Sequence, residues 1–103
     1  MYARIVNMKL KDEKRVPDFT KLIETEVIPM LRMQEGFQDE VSLFSKDRLE
    51  VRGISFWKKM ENAETYHKNV YPQILKTISG YVDGTPEIRT FEVGNSTLHN
   101  LTV

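Results

Sequence analysis

The sequence predicts a single α+β domain of β-α-β-β-α-β order, with its helices on one face of a four-stranded antiparallel sheet. Two features carry that expectation: short apolar segments rich in branched and aromatic residues, and longer stretches whose apolar residues recur every three or four positions. The chain has 103 residues, enough for one domain (1–103) and too few for a second.

Tyr2 to Leu10 reads as the first strand, followed by a charged turn, Lys11-Asp12-Glu13-Lys14-Arg15. Val16, Phe19, Leu22, Ile23, Val27, Met30 and Leu31 then mark one helical stripe. Pro17 suits the first turn, where its missing N–H has no helical partner. Pro29 should kink the helix or end its regular part, and Gly36 should close it in a left-handed conformation. Phe37 to Ser45 is the second strand, with Phe37, Val41 and Leu43 on one side and Phe44 on the other. Lys46-Asp47-Arg48 is of hairpin length, and Leu49 to Trp57 is the third strand. A second helix is expected to start near Asn62, a good N-cap residue. Ala63, Tyr66, Val70 and Ile74 share a stripe that Pro72 should break into two pieces, the later ending at Gly80. After the turn Asp83-Gly84-Thr85-Pro86, Glu87 to Val93 is the last strand. The tail from Gly94 to Val103 either extends it or reaches a neighbouring subunit.

This is the ferredoxin-like order, which covers only one sheet face with helices. Yet the strands carry large apolar groups on both parities: Val6 and Met8 against Ile5, Phe44 against Val41 and Leu43, Ile54 and Phe56 against Val51 and Trp57. A sheet wetted on one side should alternate apolar and polar residues. A second copy of the sheet would cover the spare face, gaining about 25 cal/mol per Å² of apolar surface buried. A homodimer is therefore expected; the alternatives are a monomer with a bare apolar face or another partner.

Lys+Arg and Asp+Glu both number 15, so no positive excess points to nucleic acid. Cysteine is absent, which excludes disulfides, thiolate metal sites and cysteine nucleophiles within this sequence. No apolar run approaches the roughly 20 residues that span a bilayer, so no membrane partner is expected. The amino terminus reads as a strand rather than a secretory signal. A cytoplasmic location is therefore expected, with the sequons at Asn95 and Asn100 matching by chance. No His, Asp and Glu residues show metal-ligand spacing, and there is no Gly-rich phosphate loop. Neither a metal nor a cofactor is expected.

The stretch Asp18 to Arg32, with its late Pro29, followed by Glu35-Gly36-Phe37, resembles the first helix and helix-to-strand turn of the antibiotic biosynthesis monooxygenase family. Phe56-Trp57, a polar turn, and a helix carrying Ala63, Glu64 and His67 are similar too. The resemblance spans nearly the whole chain. It implies a dimeric α/β barrel, two sheets packed face to face, with a pocket between sheet and helices in each subunit. Some members of that family oxidise aromatic phenols to quinones with dioxygen and neither metal nor flavin; others degrade haem. In the haem-degrading branch the second helix carries a tryptophan and, about three turns later, a ligating histidine. Tyr66 and Lys76 stand at those places, which disfavours haem degradation.

A cofactor-independent monooxygenase for a small flat aromatic or polyketide-like molecule is the resulting expectation. The alternative is a binding or regulatory dimer without catalysis, which predicts a very small cavity and His67 facing solvent. Asn7, an amide in an apolar strand, could stabilise an oxyanion if it points into the pocket. Otherwise it is an edge or solvent-facing residue. Trp57 could wall an aromatic ligand, or anchor strand to helix in the core. His67 could be the base that removes a phenolic proton, or a half-exposed helix residue. Tyr66 and Tyr71 could line the substrate cavity, or pack with their hydroxyls in water.

Overall fold

The computed structural model describes residues 1–98. Residues 99–103, which include His99, the sequon at Asn100 and most of the second half of the tail, lie outside the described residues.

Strands β1 (Tyr2–Lys9), β2 (Phe37–Phe44), β3 (Glu50–Trp57) and β4 (Glu87–Glu92) form one antiparallel sheet in the order β2-β3-β1-β4. The charged segment after β1 forms a short 3-10 turn, Glu13–Arg15, capped by the Asp12 carboxylate, which accepts from the Lys14 N–H. The first helical region then runs unbroken as α1 (Val16–Leu22), a π-helical segment (Ile23–Val27) and α2 (Ile28–Arg32). Pro29 does not end the helical region, but the regular α-helix stops before it, at Leu22, and gives way to the π-helical segment, as expected for an internal proline. A proline has no N–H for the carbonyl four residues back and its ring crowds that carbonyl. The wider π turn immediately upstream accommodates this misfit, as such bulges do. Gly36 does adopt a positive φ of 80°, four residues beyond Arg32, the last helical residue. A Cβ there would also overlap the Asn62 side chain, so glycine is required twice over.

The second helical region divides as its proline demands, into α3 (Met60–Asn69) and α4 (Tyr71–Ile78). Its start differs from the expectation. Asn62 is the third helical residue, and its Oδ1 reaches back to accept from the Lys59 N–H at 3.1 Å. It caps the helix from inside rather than at the boundary. Residues 94–98 add no further strand.

Register assigns the faces. Tyr2, Arg4, Val6 and Met8 of β1 lie beside Trp57, Ser55, Gly53 and Val51 of β3, on the side the helices cover. A bulge between Phe37 and Asp39 changes the parity of β2. Phe37 therefore joins Phe44 on the helix side instead of sharing a face with Val41 and Leu43. The core between sheet and helices centres on Trp57, Phe19, Val16 and Val51, all fully buried. The opposite face carries Ile5, Ile54, Val41, Leu43 and Phe91 with no helix over it; the last three are 44%, 50% and 43% exposed. Among the described residues no helix is long and apolar enough to cross a membrane.

Candidate functional site

A cavity of about 60 Å³ lies between the sheet and the helices. Val6, Val51 and Gly53 form its floor, and Phe19, Val27 and Ile74 its roof. The floor opens at Gly53 because that strand position has no side chain, and the roof includes the π-helical segment through Ile23 and Val27.

At one end stands Arg4, the charged member of the inward-facing series Arg4, Val6, Met8. It is only 3% exposed. Its Nη2 lies 3.0 Å from Nδ1 of His67 on α3. A guanidinium has donors only, so Nδ1 accepts and the ring hydrogen sits on Nε2. The guanidinium carbon lies 4.3 Å from the centre of the Tyr71 ring and 5.1 Å from that of Tyr66, within the range of cation–π attraction. The Tyr71 hydroxyl is buried close to the guanidinium but makes no well-formed hydrogen bond. Among the described residues no carboxylate pairs with Arg4. On its far side Arg4 borders a surface groove of about 390 Å³ between α3 and β4, lined also by Ala63, Glu64, His67, Ile88 and Thr90.

The charges respond to this burial. Desolvation lowers the Arg4 pKa, yet a guanidinium remains charged in water-accessible pH ranges. Burial pushes the Tyr66 hydroxyl up to about 12 and raises that of Tyr71, in both cases against the favourable pull of Arg4. His67 is pulled below its ordinary value, first by desolvation and then by the Arg4 charge. Both effects favour its neutral form.

Three of the residues expected from sequence thus converge. Tyr66 and Tyr71 line the cavity, and the His67 ring stacks on Tyr71 with centres 5.5 Å apart. Two do not join them. Asn7 lies on the opposite sheet face, between Arg52 and Glu87, so it cannot reach this cavity. Trp57 is wholly buried behind Tyr66 and Phe37, and its Nε1–H donates to Ser55 Oγ at 2.8 Å. It anchors strand to helix rather than walling the cavity. Sequence reasoning overlooked Arg4, Ser55 and Glu40, all of which line it. The signal for Arg4 was a charge on the parity of Val6 and Met8. For Glu40 it was concealed by the bulge. Among the described residues no three His, Asp or Glu side chains gather as metal ligands.

No family model matches the sequence, and no curated protein matches it closely. Solved structures do share its fold. A monooxygenase from the ActVA-Orf6 gene of Streptomyces coelicolor, in complex with nanaomycin D, superposes with a TM-score of 0.78 at 14% identity, over 94% of this chain and 90% of that one. SnoaB, a cofactor-independent oxygenase from Streptomyces nogalater, gives 0.77 at 11% identity, over 93% and 95%. A candidate antibiotic biosynthesis monooxygenase from Bordetella bronchiseptica gives 0.75 at 12%, over 89% and 95%. At these identities the likeness establishes the fold and leaves chemistry to the site.

Proposed function

We propose that the protein binds a small, flat, aromatic or enolic molecule as its anion in the cavity under the helices and oxygenates it with dioxygen, without a cofactor, as a homodimer. The observation that carries this reading is Arg4: a buried guanidinium without a carboxylate partner, facing an apolar cavity between two aromatic rings. An isolated buried charge is costly, and a ligand oxyanion is the group that would compensate it. A hydroxyaryl anion is electron-rich enough to react with dioxygen directly, and two solved structures of this fold are named as monooxygenase and cofactor-independent oxygenase.

In this mechanism Arg4 stabilises negative charge, the task first assigned to Asn7. Tyr66 and Tyr71 hold the ring. His67 is a positioning residue, because its only free lone pair, on Nδ1, is engaged in orienting the guanidinium. The spare sheet face, with Val41, Leu43 and Phe91 exposed, is the surface on which the second copy packs.

Aerobic incubation with anthrone or a substituted hydroquinone, followed by oxygen consumption, tests the chemistry. Wild-type protein consumes oxygen; Arg4→Met lowers the rate by at least about 100-fold, the usual loss on removing an oxyanion donor. An unchanged rate in Arg4→Met overturns the reading.

A non-catalytic binding module is the second reading, and two observations favour it. His67 is exposed on its helix, and the cavity volume is about 60 Å³, less than half of the roughly 150 Å³ that accepts a benzene. That reading predicts saturable binding of the same compounds with no oxygen uptake.

A further inference from the structure

Across the helix side of the sheet, Glu40 of β2, Ser55 of β3 and Arg4 of β1 stand in one row, as the pairings Glu40–Ser55 and Arg4–Ser55 require. Neighbouring strands are about 4.8 Å apart, so the Glu40 and Arg4 backbones are separated by about 10 Å. All three side chains line the same cavity, with Glu40 at the end opposite Arg4. Each charged residue also borders a surface groove: Arg4 the one between α3 and β4, Glu40 one of about 330 Å³ between the first helical region and β2. Among the described residues the two do not pair with each other.

We infer that the ligand is a conjugated hydroxy-carbonyl compound, its hydroxyl held by Glu40 at one end of the cavity and its carbonyl oxygen by Arg4 at the other. This rests on the anion-binding reading of Arg4 and extends it to the other end of the molecule. An ionised carboxylate only accepts hydrogen bonds and repels an oxyanion, so it selects the donor end of a ligand. Ser42 Oγ donates to Glu40 Oε1 at 2.6 Å, which leaves the other carboxylate oxygen available. Ser55 Oγ accepts from Trp57 Nε1, so its own hydrogen is free to point into the cavity between the two ends. Within the cavity Glu40 is the base with an uncommitted lone pair, whereas Nδ1 of His67 is taken by Arg4. Proton transfer then runs from one end: the ligand O–H bond breaks, the proton goes to the Glu40 carboxylate, and the electron pair stays on the ligand. Conjugation carries that negative charge through the ring to the carbonyl oxygen beside Arg4. The row thus matches a vinylogous acid, whose acidic hydrogen and charge-bearing oxygen sit at opposite ends.

Calorimetric titration with 4-hydroxyacetophenone and with acetophenone, which lacks the hydroxyl, tests the assignment. Wild-type protein favours the hydroxylated ketone by at least about ten-fold, as a hydrogen bond to a charged acceptor provides. In Glu40→Ala that preference falls below about two-fold, and the isosteric Glu40→Gln, a neutral acceptor, lies between. An equal preference in wild type and both variants overturns the role of Glu40. Arg4→Met distinguishes the two levels. If it weakens both ketones while the Glu40 variants change nothing, the contact of Arg4 with the ligand oxygen stands and this inference fails. If wild type binds neither ketone, or Arg4→Met leaves both affinities unchanged, the reading of Arg4 fails and this one with it.

Discussion

Under the proposed function, Arg4 is a residue that serves binding at the expense of stability. Taking a guanidinium out of water without a counter-ion costs free energy that His67 and the two tyrosine rings only partly offset. Arg4→Met, of similar length and without charge, should therefore leave the melting midpoint unchanged or raise it, while ligand binding is lost; a large drop in midpoint with binding retained contradicts this. The His67 pKa gives a second prediction with a definite sign. Its folded value is depressed, so below the ordinary value of about 6.5 the unfolded chain binds more protons than the folded one. The contribution is fully present above about 6.5 and is lost as pH falls through the folded value. Thermal midpoints measured from pH 7 down to pH 5 should fall more in wild type than in His67→Gln. Equal slopes would show that His67 is not depressed in the folded protein, by burial or by Arg4.

The irregular elements surround the cavity. The π-helical segment Ile23–Val27 accommodates Pro29 and also supplies part of the roof, and Gly53 leaves the floor open. These features suit a site that must admit a ring larger than its resting volume, because π turns recur where helices serve binding. Gly53 permits a test with the fold preserved. A Cβ built there meets nothing nearer than Met8 Cε at 3.9 Å, an ordinary contact. Gly53→Ala should hold or raise the melting midpoint, since alanine restricts the unfolded strand by about 0.4–1 kcal/mol, and Gly53→Val should reduce ligand affinity by filling the floor. Ile74→Ala acts oppositely: it enlarges the cavity, costs about 2–5 kcal/mol in urea unfolding, and should speed ligand association. The positive φ of Gly36 and its contact with Asn62 join the end of the first helical region to the start of the second. Gly36→Ala should lower stability by more than about 1 kcal/mol.

For the whole molecule, the decisive quantity is the exposed sheet face. Ile5, Ile54, Val41, Leu43 and Phe91 form an apolar surface on a domain whose helices all lie on the other side. Sedimentation at micromolar concentration should give about twice the 12.1 kDa chain mass, and Leu43→Lys should shift the species to a monomer. A folded wild-type monomer at that concentration would remove the barrel from the proposal.

Much of this was legible in the chain itself. Periodicity gave the element order, Pro72 the break between α3 and α4, and mixed strand parity an apolar second face, because these depend on neighbours only a few residues away. Tyr66, Tyr71 and His67 could each be singled out from the second helical stretch for the same reason. The bulge in β2 was not legible, because it arises from pairing with a strand far along the sequence, and it reversed where Phe37 stands. Nor could sequence decide whether position 4 or position 7 of β1 faces the helices. That choice depends on which parity the tertiary fold covers, and it put Arg4, rather than Asn7, against the cavity.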